Sequence, residues 1–382
     1  MNVAIDPLKL ASELVRCASV TPEEGGAIRL LESTLLEAGF RCVRADRNGI
    51  ANLFARWDGP ADRPTIGFNG HTDVVPPGDV SSWAHDPFGG KVSDGQLWGR
   101  GAADMKSAVA AFVSAAVEFT RAFPEAGSIA IAITGDEEGA ARDGTVAILD
   151  MMAECGERMD ACIVGEPTCR EKFGDTVKIG RRGSMTAEFA AKGVQGHAAY
   201  PHLARNPLPA IACLASRLSS LELDNGSEYF DPSTLALTSI ETNNDAKNVI
   251  PDSCRCSANL RFNDLHSSAG LKKLLTAEMH KVAARTGIDF SLEVEVSGES
   301  FIVHPGPLAR MVADAIEEET GIMPEFSTSG GTSDARFIKD HCPVIEFGLV
   351  GKTMHQIDEC ASVAEIHKLK STYARILRKF FG

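Results

Sequence analysis

Five stretches of the chain carry residues able to do metal or acid–base chemistry. His71 stands two residues before Asp73. Asp104 lies inside Gly99-Arg100-Gly101-Ala102-Ala103-Asp104-Met105-Lys106. Glu137 and Glu138 are adjacent, Glu166 sits between Gly165 and Pro167, and His355 comes far downstream. Imidazoles and carboxylates together make a mixed N and O donor set. Such a set, with positions left open, suits catalytic zinc, which lowers the pKa of a bound water to about 7. The charges agree: Asp104, Glu138, Glu166 and a bridging hydroxide would balance two zinc ions. Residues two apart in an extended segment share a side, so Asp73 could hold the second ring N–H of His71. Each feature alone has an ordinary explanation. A histidine at a strand end is usually a loop residue, an aspartate before a helix is usually its cap, and paired glutamates are usually solvated. The residues by themselves leave a metal site and solvated loops both open; joint placement at successive strand ends is what favours the site.

Those residues need elements to bring them together. Spacing predicts helices over 7–17 and 26–39, the second stopped at Gly39. Apolar runs at 65–69, 128–134, 161–164 and 343–347 read as strands. Each is followed by one of the candidate residues, and helices at 107–120 and 145–152 lie between. This alternation predicts an α/β domain with a mostly parallel mixed sheet and helices on both faces. In such sheets ligands bind at the carboxyl ends of strands. The middle of the chain reads differently, with a strand at 184–194, a helix at 206–222, strands at 234–242 and 254–263, a helix at 267–286 and a strand at 288–297. That order is β-α-β-β-α-β, the ferredoxin-like α+β pattern. The expected organisation is therefore a catalytic domain in two segments, 1–182 and 296–382, interrupted by an inserted domain at 183–295. A chain of 382 residues is long for a single core.

Composition narrows the function classes. The net charge of −14 argues against a nucleic-acid partner, although an acidic protein can still hold a local basic pocket for an anion. Asp6, Lys9 and Glu13 interrupt any apolar leader, and no run of about 18 apolar residues offers a membrane span. Ten scattered cysteines fit reduced cytoplasmic thiols better than a disulfide framework. Gly-x-Ser-x-Gly is absent, which removes a serine-hydrolase reading. Gly99-x-Gly101 is too short for a dinucleotide fingerprint.

The stretches His71-Thr72-Asp73-Val74-Val75-Pro76, residues 99–106, Gly135-Asp136-Glu137-Glu138-Gly139 and Gly165-Glu166-Pro167 resemble the co-catalytic zinc family of aminoacylases, carboxypeptidases and N-acyl-amino-acid deacylases. The likeness runs essentially end to end. Finer stretches resemble one acyl-specific branch rather than the members that remove acetyl groups. They are Gly180-Arg181-Arg182-Gly183-Ser184, residues 195–202, Asn248-Val249-Ile250-Pro251 and, most discriminating, residues 329–337.

The resemblance implies a zinc-peptidase-like catalytic domain and a homodimer formed through the inserted ferredoxin-like domain, which also serves as a lid. It implies two Zn2+ per subunit, which Co2+ can replace, and hydrolysis of a linear amide in an N-acyl amino acid. Asp104 would bridge the metals, His71 and Glu166 would complete one ligand set, and Glu138 and His355 the other. Glu137 would stay off the metals as general acid/base, with Asp73 supporting the centre. His197 would reach the oxyanion from the inserted domain of a second subunit. Arg181 and Arg261, with Arg182 beside them, suit substrate carboxylates because a guanidinium fork binds them bidentately. Tyr200, Asn248, Gly331 and Thr332 would add polar contacts. The peptide Asp104–Met105 is expected to be cis. A non-catalytic metal-binding relic is the reading from another class; it would be expected to have lost Glu137 or a ligand, and none is missing.

Overall fold

Unbroken runs of small and branched apolar residues make strands covered on both faces. In the computed structural model, which describes residues 4–382, the principal strands in chain order are β1 (Arg41–Arg44), β2 (Leu53–Trp57), β3 (Thr65–His71), β4 (Ser128–Thr134), β5 (Ala161–Val164), β6 (Thr176–Lys178), β7 (Gly183–Lys192), β8 (Thr234–Glu241), β9 (Ser253–Phe262), β10 (Asp289–Gly298), β11 (Glu325–Ser327) and β12 (Val344–Glu346). The helices are α1 (Pro7–Arg16), α2 (Ala27–Glu37), α3 (Ser107–Ala122), α4 (Thr145–Cys155), α5 (Leu208–Ser219), α6 (Ser268–Thr286), α7 (Pro307–Thr320), α8 (Ala335–Ile338) and α9 (Val363–Phe381). Among the described residues, no helix is long and apolar enough to cross a membrane.

The chain divides into two units. The first comprises Met1–Ile179, Val303–Ser327 and Ser333–Gly382, its first three residues lying outside the described part. Its eight-stranded sheet has the order β1-β2-β4-β3-β5-β12-β6-β11. The pairs β4–β3, β3–β5, β5–β12 and β6–β11 are parallel, while β1–β2, β2–β4 and β12–β6 are antiparallel. The sheet is thus mixed, and its central strands β4, β3, β5 and β12 point the same way. Every residue of β3 and β4 is buried. Helix α3 is apolar nearly all round and buried over most of its length. Phe68 of β3 stacks on Phe112 of α3 at 4.2 Å, and both rings meet Tyr373 of α9 edge-on. The Tyr373 hydroxyl donates to the Phe347 carbonyl at 2.7 Å, just past β12. Each buried phenylalanine contributes about 1.5–3 kcal/mol, so this cluster pins the middle of β3 and the end of β12.

The second unit comprises Gly180–Ile302 and Thr328–Thr332. It is wider than the 183–295 expected, for two reasons. Arg181 and Gly180 pair with Phe301 and Ile302, which closes its base. The segment 328–332, which the sequence reading assigned to the catalytic part, is bonded here: Thr328 Oγ1 donates to the Tyr229 carbonyl, and Arg181 Nη1 donates to the Gly331 carbonyl at 3.2 Å. The four strands run antiparallel in the order β8-β9-β7-β10, with the element order β-α-β-β-α-β of the ferredoxin-like pattern. Burial alternates along β9, as period-two geometry requires. Its inward residues join Phe189, Ile211, Leu214 and Leu275 in the core under α5 and α6. Ser267 caps α6 by accepting from Gly270 N, and Gly287 ends it in the left-handed region.

Candidate metal centre

The parallel strands β3, β4, β5 and β12 deliver their carboxyl ends to one edge of the first unit. His71 is the last residue of β3, Glu137 and Glu138 follow β4, Glu166 follows β5, and His355 lies within the loop after β12. Asp104 comes from the turn before α3. The glycines before His71 and Glu166 have a job there. A Cβ on Gly70 or on Gly165 would stand 2.6 Å from the same atom, Met105 Cε. Both strands leave that space empty for the side chain next to Asp104, so the aspartate can reach between them. Gly101 supplies the turn: its φ is +84°, and a Cβ would lie 2.7 Å from Val74 Cγ1. The Asp104–Met105 peptide is cis.

Two groups of donor atoms result, sharing Asp104. His71, Asp104 and Glu166 form one; Asp104, Glu138 and His355 form the other. In each, the ligand atoms lie within 4.8 Å of one another. Asp104 Oδ1 is 3.2 Å from His71 Nε2, and its Oδ2 is 3.4 Å from His355 Nε2. Glu166 Oε1 lies 3.8 Å from His71 Nε2, and Glu138 Oε1 lies 2.9 Å from His355 Nε2. One carboxylate therefore offers an oxygen to each group, as a bridging ligand must. Two nitrogens and several carboxylate oxygens, mostly withdrawn from water, are a donor set that fits a pair of divalent cations.

The electrostatics point the same way. Burial disfavours a charged His71, but the Asp104 hydrogen bond and the charges of Asp73, Asp104 and Glu166 outweigh it, so its pKa rises well above the usual value. Hydrogen bonds to Asp104 and Glu138 push His355 up to about 10. Burial would raise Asp104, yet its bonds to the two histidines hold it below the ordinary carboxylate range. A cation held by this cluster would have to displace the protons that the raised histidine pKa values favour. Burial raises Glu137 to about 8, with His71 opposing and the charges of Asp334, Glu138 and Asp104 adding to the rise. Divalent ions alongside would draw it back towards neutrality, the range in which a carboxyl serves as acid and base in turn.

Asp73 works differently from the expectation. The His71 Nδ1 hydrogen bond, at 2.9 Å, goes to the backbone carbonyl of Asp73, while the Asp73 carboxylate stands 3.6 Å from that nitrogen. The carboxylate instead accepts from the backbone N–H of Glu137 and of Glu138, at 3.2 and 3.1 Å, and from Thr21 Oγ1 at 2.8 Å. It braces the two glutamates and orients the histidine only through its main chain. Sequence reading missed Thr21, Thr145 and Asp334. Asn69 Nδ2 donates to Thr145 Oγ1, which donates to the buried Asp334 carboxylate at 2.7 Å. Asp334 lies in the stretch 329–337, but nothing local there pairs it with Thr145, 189 residues away in the chain.

The other candidates belong to the second unit. His197 is exposed and sits on a short bridge to Val249. Its Nδ1 accepts from Ala199 N at 3.0 Å, so a neutral ring carries its proton on Nε2. Arg181 is buried against Gly331, and Arg261 Nε donates to Asn259 Oδ1 at 3.1 Å. Burial, followed by the like charge of Arg182, lowers the Arg261 pKa. Two cations held near one another favour an anionic ligand. Tyr200 and Asn248 are exposed, and Thr332 follows Gly331 in the segment bonded to Arg181.

Residues 67–379 match the profile of Peptidase family M20/M25/M40. The chain belongs to that family. Within M20, it is 60% identical over 378 residues to a succinyl-diaminopimelate desuccinylase of Cereibacter sphaeroides, covering 99% of this chain and 100% of that one. It is 58% identical over 380 residues to the protein of the same name from Ruegeria pomeroyi, covering all of both. In fold it is similar to an M20 family metallo-carboxypeptidase from Sulfolobus solfataricus, with a TM-score of 0.81 at 15% identity over the whole of both chains. A dinuclear metal-binding M20 peptidase from Bacillus subtilis gives a TM-score of 0.74 at 16% identity, covering 97% of this chain and 96% of that one.

Proposed function

We propose that the chain hydrolyses N-succinyl-L,L-2,6-diaminopimelate to succinate and L,L-2,6-diaminopimelate, a step of lysine and diaminopimelate biosynthesis, as a dinuclear zinc amidohydrolase. The observation that carries this reading is end-to-end identity near 60% with succinyl-diaminopimelate desuccinylases in a chain whose metal-type residues converge. Asp104 would hold both cations, His71 and Glu166 one of them, and Glu138 and His355 the other. Bound there, the ions supply positive charge that polarises the amide carbonyl and acidifies the attacking water. Zinc suits the imidazole–carboxylate set, and cobalt, with similar ligand preferences, can replace it.

The protein's own groups do the rest. Glu137 takes a proton from the water as its oxygen bonds to the amide carbon. It returns that proton to the leaving nitrogen as the C–N bond breaks, so one carboxyl serves as base and then acid. Adjacent glutamates are useful for this: Glu138 is committed to ligation and Glu137 is left free. His197 Nε2–H, in the tautomer fixed by Ala199 N, is the donor for the oxyanion, contributed by the inserted unit of a second copy in a homodimer. Arg181 and Arg261 take substrate carboxylates, with Tyr200, Asn248, Gly331 and Thr332 as polar contacts. A cytoplasmic setting accords with ten cysteines that are all free thiols.

The test is to load the protein with zinc and compare hydrolysis of N-succinyl-L,L-diaminopimelate with that of N-acetylornithine, with and without a chelator. Chelator-sensitive preference for the succinyl substrate is the expected result. Preference for the acetyl compound would overturn the acyl assignment and keep the metal chemistry.

A further inference from the structure

Arg100 and Glu359 are charged, fully enclosed and unused by the chemistry above. Their side chains are 3% and 0% exposed, and Nη1 lies 2.7 Å from Oε2. A buried ion pair is weak evidence of stability, since desolvating both charges offsets their attraction. What singles this pair out is what else each partner touches. Glu359 Oε1 accepts from the backbone N–H of Ala103 at 3.0 Å and of Asp104 at 3.1 Å. The Glu359 carbonyl accepts from Gly99 N at 2.9 Å. Arg100 Nη1 also donates to the Gln356 carbonyl at 3.1 Å, and its Nη2 reaches the carbonyls of Pro76 and His355, both at 3.4 Å. The Trp83 ring covers the guanidinium at 5.3 Å.

These contacts join three loops: the one leaving β3 after His71, the turn holding Asp104, and the loop that carries His355, Gln356 and Glu359. They fall on backbone atoms, so the pair fixes main chain and leaves the donor atoms to face inward. His355 needs such support. Its φ is +63°, a left-handed conformation that a histidine rarely adopts unless its surroundings impose it.

We propose that Arg100 and Glu359 are a positioning pair that sets the separation of Asp104 and His355, and with it the affinity of the cation site formed by Asp104, Glu138 and His355. The proposal rests on the dinuclear reading above. Partners outside the ligand set typically govern metal affinity by about 10–100-fold, and a planar fork that ties its own turn to two other loops is suited to that work.

The experiment is stepwise zinc binding by Glu359→Gln, measured by competition with a chelating dye, alongside circular dichroism and thermal unfolding. Glutamine keeps an oxygen for the two backbone N–H groups but removes the countercharge of Arg100. In the folded variant one zinc should bind about 10–100-fold more weakly, with the other less affected, and kcat should fall more than KM changes. Wild-type affinity for both ions in a folded variant, even one with a lower Tm, would make the pair structural only and overturn the proposal. Should Glu359→Gln fail to fold, the double variant Arg100→Met with Glu359→Gln leaves no lone buried charge and carries the same expectation. Failure of that variant to fold would make the pair a condition of folding, which also counts against the proposal. If the wild-type protein binds fewer than two ions, the dinuclear reading falls and takes this inference with it. Normal binding by wild type and variant alike sinks this inference alone.

Discussion

In the first unit the candidate ligands, Asp104 apart, follow the ends of parallel strands, and neighbouring backbone and buried side chains hold them. Asp73 grips the N–H groups of Glu137 and Glu138, and Gly70 and Gly165 make room for the residue after Asp104. In the second unit the residues proposed to meet substrate stand on antiparallel strands and loops, and several are open to solvent. Tyr200 is 57% exposed, and His197 and Asn248 are exposed as well. The difference accords with the tasks proposed for them. Cations need donors fixed to fractions of an ångström before they arrive, whereas a flexible substrate tolerates contacts that adjust. Substitutions in the first unit should therefore cost turnover or metal, and those in the second should chiefly cost binding.

Glu137→Gln offers the sharpest break. Turnover should fall at least about 10²–10⁴-fold, the range for a lost general acid/base, while metal analysis still finds two ions per chain. Substantial residual turnover would remove Glu137 from its role. His197→Ala tests the exception, a second-unit residue assigned to the reaction itself. Its kcat should drop about 10²–10³-fold, as for a lost oxyanion donor, with metal content unchanged. Mixing it with Glu137→Gln should restore part of the activity if each site draws on two copies. No recovery after proven subunit exchange would place His197 elsewhere. Arg261→Met should raise KM for the succinyl substrate by about 10–100-fold, the worth of a charge-assisted hydrogen bond of about 1.5–3 kcal/mol. A fall in kcat with KM unchanged would contradict the division between the units.

The smallest effect concerns acid stability of the second unit. Burial would raise Asp224, but hydrogen bonds from Ser233, Gly226 and Asn263 outweigh it and bring its pKa to about 2, below the usual 3.8. A depressed carboxyl pKa stabilises the fold fully above its unfolded value. That contribution fades as the pH falls from about 4 towards 2, because the unfolded chain takes up the proton first. Protection of the amides in β8 and β9, taken as exchange relative to the intrinsic amide rate at each pH, should therefore fall over that window, and Asp224→Asn should flatten the dependence. An unchanged pH profile in the variant would show that Asp224 is not its source.

Much of this was legible because the residue types are unusual for their positions. His71, Glu138, Glu166 and His355 follow short apolar runs that read as strands, and parallel strands carry their ends to one edge. The runs at 128–134 and 161–164 became β4 and β5 without adjustment. The partner of the Asp73 carboxylate was not legible. Spacing put His71 nearest, yet the main-chain carbonyl took the ring N–H and freed the carboxylate for a loop more than sixty residues away. The segment 328–332 was misplaced for a similar reason, since its ties to Arg181 and Tyr229 span about 100 residues or more.

The sequence alone determined the donor chemistry, the alternation of strands and helices around it, and the β-α-β-β-α-β order of the insert. These depend on residue type and on periods of two and 3.6, which are local properties. Tertiary structure decided which oxygen of Asp104 faces which histidine, that Met105 nests against two glycines, and that Glu359 holds the backbone of Asp104 from 255 residues away. Such contacts are set by packing between segments far apart in the chain, and no local pattern encodes them.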